Sequence, residues 1–139
     1  MNNLPTIDIK GKEYVLVKDR ILAFHELYKN GSIITEKTEL DTRVEFKATI
    51  TPDVDKPTRI FTGHSQATWG DGYINKTSAL ENAETSAVGR ALAFLGIGII
   101  ESIASADEVV KAQNTDKGFS PRPVQQKPVA KPVNSNNPF

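Results

Sequence analysis

Four sets of residues in this sequence have the types and spacing to do chemistry. Carboxylates occur as the close pairs Asp53/Asp55 and Asp107/Glu108. A metal ion or an acid/base mechanism needs such groups to converge with a histidine or a nucleophile. The first pair falls in a proline-flanked loop and the second at a helix start, so turn formation and capping account for both. The histidines, His25 and His64, lie far apart with no visible nucleophile partner and read as packing or surface residues. With cysteine absent, thiolate zinc sites and disulfides are excluded. No catalytic group, metal or cofactor is expected. Gly96-Ile97-Gly98 superficially suggests a phosphate loop, but that loop follows a strand and opens a helix, whereas these glycines follow a helical pattern. The fourth set pairs aromatic rings with cations. Nucleic-acid strands are held by cations tracking phosphates and by rings stacked on bases. Trp69 and Tyr73 flank Gly70-Asp71-Gly72 just before Lys76 and make a candidate contact segment; core packing of Trp69 beside a glycine turn is the competing reading.

The elements that must position these residues can be read from periodicity. Tyr14-Val-Leu-Val reads as a short strand. Ile21, Leu22, Phe24, Leu27 and Tyr28 have helical spacing, so a first helix is expected over Arg20 to Asn30, with Asp19 able to cap it and Gly31 able to end it. Three β-branched or alternating runs follow, Ser32–Leu40, Val44–Thr51 and Thr58–Trp69, and the short polar turns between them favour an antiparallel meander. A long helix is expected to begin around Asn75 to Ser78, where Ser78 and Glu81 have capping-box spacing. Leu80, Ala83, Ala87, Val88, Ala91, Leu92 and Leu95 form its apolar face, and Gly96 and Gly98 mark its end. Its alanines keep it thin enough for a sheet or a second subunit to approach closely. A last short helix is expected over Ala106–Ala112, capped by Ser105.

Composition divides the 139 residues in two. Formal charge is zero overall, but residues 1–112 carry 13 Lys/Arg against 16 Asp/Glu, and 113–139 carry four against one. The strongly basic balance usual for a nucleic-acid binder is missing, so any such site must be a local group of cations. Beyond Gln113 come five prolines and almost no large apolar residue, too little to offset ordering entropy. We therefore expect one domain over 1–112 and a disordered proline-rich tail over 113–139. The start of the chain lacks a signal-peptide pattern and no run approaches the roughly 18 apolar residues of a spanning helix, so a soluble cytoplasmic protein is expected.

The helix Lys76-Thr-Ser-Ala-Leu-Glu-Asn-Ala-Glu-Thr-Ser-Ala-Val-Gly-Arg90-Ala-Leu-Ala-Phe-Leu-Gly96 resembles the signature helix of the single-strand annealing superfamily, which includes eukaryotic Rad-fifty-two and the phage Sak and Erf recombination proteins. The order of elements before it is similar too. The resemblance implies an α+β fold, an antiparallel three- to four-stranded curved sheet packed against a long helix, with protomers joining as a ring or filament. It implies DNA contacts at Arg90, Lys76 and Arg20, which join Trp69 and Tyr73 as DNA-binding candidates. Where relatives often place further basic residues, this chain has Gly89 and Ala93. The terminal Pro138-Phe139 is similar to the tip of bacterial single-stranded-DNA-binding proteins and implies docking on a replication or recombination partner.

The expected function is accordingly single-stranded DNA binding with ATP-independent annealing of complementary strands in phage recombination, by a homo-oligomer without enzymatic activity. The alternatives are a protective single-stranded-DNA-binding protein and a metal-dependent nuclease. The first needs a barrel of about five strands; the second needs a carboxylate cluster.

Overall fold

Alternation along one nine-residue strand sets the architecture. In the computed structural model, which describes residues 4–69, 76–110 and 112, Arg43–Thr51 is a strand in which Val44, Phe46, Ala48 and Ile50 are buried while the residues between them are not. A strand with one buried face must pack on something, and here that is the long helix.

The elements run β1 (Ile7–Ile9), β2 (Lys12–Tyr14), α1 (Val17–Leu27), β3 (Ser32–Glu39), β4 (Arg43–Thr51), β5 (Phe61–Thr68) and α2 (Lys76–Leu95). They lie in one compact unit, Met1–Asp107. The protein is α+β, with a two-stranded antiparallel sheet β1-β2 and a three-stranded antiparallel sheet β3-β4-β5. The expected meander is thus present, with edges within a few residues of those read from sequence. The β1-β2 hairpin was not anticipated: Tyr14 ends a strand, and Val17 opens α1. Its turn places Lys10 at φ 53° and Gly11 at φ 86°, the paired positive values of a type I′ turn, and lysine is not a residue that announces that turn.

Register assigns the faces. Val44 pairs with Glu39 and Ala67, and Ile50 with Ile33 and Phe61, so these rows face α2. Arg43, Glu45 and Lys47 lie on the opposite face with His64 and Gln66. The core joins Phe24, Ile50, Leu92 and Ile97, all fully buried, with the alanines Ala83, Ala87 and Ala91. Each large side chain buried in this way contributes about 1.5–3 kcal/mol. The alanines meet Gly63 on β5, where a methyl group would overlap the Ala87 carbonyl oxygen and the Ala91 backbone nitrogen. Small residues on both sides let helix and sheet backbones touch.

The helix ends also follow physical rules, though not always those expected. Gly96 at φ 106° and Gly98 at φ 78° stop α2, as glycine past a C-terminus does. At the start of α1 neither Asp19 nor the N-cap Leu16 caps the helix; instead the Val17 amide donates to Asp107 Oδ1 at 2.8 Å. Asp107 does cap a helix, but one 90 residues away. Ser78 lies inside α2 rather than before it. A helical turn begins at Ala106, whose amide donates to the Val15 carbonyl at 2.9 Å. Among the described residues no helix is long and apolar enough to cross a membrane. The expected tail, 113–139, lies outside the described residues.

Candidate functional site

Trp69 follows β5 directly and is pinned at the tip of the β3-β4 hairpin. Its backbone amide donates to the Thr42 carbonyl at 3.1 Å and its Nε1 to the Asp41 carbonyl at 3.0 Å. The turn itself closes through the Leu40 amide on the Arg43 carbonyl at 2.8 Å. The indole is partly buried against the core, so packing and hairpin anchoring both explain it. Tyr73 lies outside the described residues, as do Pro138 and Phe139. Lys76 is the first residue of α2.

Arg20 is placed where a ligand contact is impossible. The resemblance implied a DNA contact at Arg20; the structure buries the side chain completely. Its Nη1 donates to the Gly89 carbonyl at 2.8 Å, and its Nη2 reaches the carbonyls of Gly98 at 3.2 Å and Ala104 at 3.4 Å. The planar fork of a guanidinium suits this bridging role. Gly98 has no room for a Cβ, which would stand 2.9 Å from Arg20 Cγ. A charged group in the core of a short helix had no distinguishing sign in sequence, because its acceptors are backbone carbonyls.

Arg90 is half-buried on α2, its guanidinium 5.9 Å from the centre of the Phe94 ring. It stands fourteen residues from Lys76 on one helix, about 21 Å along the axis. These two positions therefore belong to opposite ends of α2 and cannot share one phosphate. Among the described candidates, Arg20 is buried while Trp69 anchors the hairpin tip.

The remaining cations show a pattern that spacing did not reveal. Three ion pairs occur among the described residues, Lys18–Asp19 at 3.2 Å, Lys37–Glu39 at 2.9 Å and Arg43–Glu45 at 2.9 Å, each with a carboxylate within two residues. On the open face of the sheet Lys47 sits between Glu36 and His64 in register and lines a shallow depression with Glu45 and Gln66. A second depression, of about 370 Å³, lies between the end of α1 and the β4-β5 connection, and gathers Lys29, Lys56 and Arg59 around Tyr28. In it Asn30 Nδ2 donates to Asp53 at 2.8 Å and to Asp55 at 3.1 Å. Asp53 also accepts the Asp55 amide at 3.0 Å. That amide first, then the Asn30 amide, with Lys56 adding to them, hold the Asp53 carboxyl below its ordinary value. No group of three or more His, Asp or Glu suited to a metal ion occurs among the described residues.

No curated protein and no solved structure matches the chain. A family model does: residues 21–95, from α1 to the end of α2, match the family described as Slr1353 N-terminal dsRNA-binding domain-like. This match overturns the resemblance to the single-strand annealing superfamily, and with it the expectation of strand annealing. Within the letters that suggested that resemblance, Leu-Glu-x-Ala, Ala-Val and Arg-Ala-Leu, Ala87 and Ala91 bring their backbone against Gly63 of β5, so their small size serves helix–sheet contact. Because the match covers more than half of the sequence, from within α1 through β3, β4 and β5 to the end of α2, the chain belongs to the Slr1353 N-terminal dsRNA-binding domain-like family.

Proposed function

We propose that this domain binds double-helical RNA through its backbone, without reading base sequence. The observation that carries the reading is the family match over residues 21–95, which hold most of α1, the three-strand meander and α2. Double-stranded RNA hides its base edges in a deep, narrow major groove and displays 2′-hydroxyls and phosphates across a shallow minor groove, so its binders recognise shape and backbone. An α+β layer with scattered cations suits that task better than base readout, which needs a helix or ribbon entering a groove. The acidic balance of residues 1–112 implies few phosphate contacts and a modest dependence of affinity on salt.

The test is a titration of the full chain with a 20-bp RNA duplex, the DNA duplex of the same sequence and one RNA strand alone, at two salt concentrations. The expected result is preference for the RNA duplex, unchanged when its sequence is scrambled, because the 2′-hydroxyl distinguishes the two duplexes. Equal binding of single-stranded RNA, or no binding of any of the three, rejects the reading.

A further inference from the structure

We infer that the groove between the end of α1 and the β4-β5 connection is a phosphate-binding site, which under the proposed function receives a backbone phosphodiester of the RNA duplex. The groove is lined by Tyr28, Lys29 and Asn30 on one side and by Asp53, Lys56 and Arg59 on the other. Three features support this assignment.

The first is charge that the fold has not spent. Lys29, Lys56 and Arg59 are exposed, and none belongs to the three ion pairs found among the described residues. The carboxylates within reach are held by hydrogen bonds inside the groove, Asp53 and Asp55 by Asn30 and Asp53 also by the Asp55 amide, with Lys56 favouring the Asp53 charge. Three cations against these two tied carboxylates leave the groove net positive, in a unit that is acidic as a whole.

The second is preorganisation. The Val54 amide donates to the Asn30 carbonyl at 3.0 Å, which ties the β4-β5 connection to the turn after α1. The Lys56 amide donates to the Asp53 carbonyl at 2.9 Å and the Arg59 amide to the Lys56 carbonyl at 3.2 Å, so two successive turns present both side chains from one short segment. The Tyr28 carbonyl is already taken by the Gly31 amide at 3.0 Å, so this acceptor is not left to repel an anion.

The third is the state of Arg59, whose guanidinium lies 4.8 Å over the Phe61 ring. Attraction to the ring face restrains the guanidinium beside the groove without using its N–H donors. A flat donor fork of this kind suits the paired oxygens of a phosphate.

The experiment uses the full chain, wild type against the double variant Lys56→Gln with Arg59→Gln. Two probes separate the sources of phosphate: the 20-bp RNA duplex and inorganic phosphate, the latter followed by amide chemical shifts of residues 28–31 and 53–59. With duplex RNA the slope of log affinity against log salt should become shallower by about 0.9 for each lost contact, taking the duplex value, while Lys47→Gln on the open sheet face leaves it unchanged. Arg59→Lys should retain the slope and lose affinity, because charge is kept and the fork is not. Since both residues are exposed, the melting midpoint of the double variant should stay within a few degrees of wild type; Arg59→Lys serves as the reading if it does not.

Duplex binding with an unaltered slope in the double variant overturns the groove while leaving the proposed function standing. Absence of duplex binding, with phosphate-induced shifts in the groove that vanish in the double variant, rejects the duplex and upholds the groove as a site for a small phosphate. Silence to both probes overturns the groove.

Discussion

The Arg20 guanidinium and the Gly89 carbonyl oxygen stand 2.8 Å apart, a hydrogen bond across 69 residues that joins α1 to α2 inside the protein. With the carbonyls of Gly98 and Ala104 as further acceptors, one side chain fastens α1 to α2 and to the segment after α2. Arg20→Met would remove all three bonds, two of them buried, a cost on the order of 2–4 kcal/mol. Melting should fall by roughly 10 °C or more for a domain of this size. Arg20→Lys should recover only part, since an ammonium is a point charge rather than a fork. An Arg20→Met protein that melts like wild type would show that the buried bridge contributes nothing.

Two glycines of the helix interface differ in what surrounds them, and their alanine variants should differ accordingly. At Gly63 a methyl group meets the backbone of α2, which can yield only if the helix moves off β5. At Gly89 it meets Val17 Cγ2 at 2.6 Å, the tip of a side chain. Gly63→Ala should therefore destabilise by about 3 kcal/mol, the upper part of the range for overpacking, and Gly89→Ala by about 1. Combining Gly89→Ala with Val17→Ala should relieve the clash but not the lost core volume. Chemical denaturation with unchanged slope would measure each difference.

The Asp53 carboxyl gives the groove a pH dependence of known sign. Its pKa is lowered in the folded protein by the Asp55 amide and by Asn30, so the stability it contributes is present above the ordinary aspartate value of about 3.9. That contribution is lost as pH falls through the lower folded value. Asn30→Ala should raise the Asp53 pKa toward the ordinary value, read from its carboxyl carbon by NMR titration. No movement would mean that the Asp55 amide and Lys56 set it without Asn30.

Trp69 is the sole tryptophan, so its fluorescence reports on the hairpin tip without interference. Trp69→Phe removes the Nε1 bond to the Asp41 carbonyl while keeping most of the packing, and should cost about 1 kcal/mol. Faster hydrogen exchange of amides near Leu40 to Arg43, with exchange in α2 unchanged, would confirm that the bond anchors the turn. Uniform loss of protection would instead make Trp69 a core residue first.

Period alone was enough to read the meander and the long helix. The alternation of Val44, Phe46, Ala48 and Ile50, and the alanines at helical spacing from Ala79 to Ala91, are local signals that burial against one partner imposes on a chain. The glycines at 96 and 98 were legible for the same reason, because a left-handed backbone restricts the residue that occupies it. What sequence could not supply was the identity of partners distant along the chain. That Asp107 caps α1, that Arg20 is spent on three backbone carbonyls, and that Lys29 meets Lys56 and Arg59 in one groove are all consequences of chain closure. A cation's sequence neighbours do not tell whether it will face water, an ion pair or a carbonyl; the tertiary structure decides that, because electrostatic contacts depend on distance in space and leave no period in the sequence.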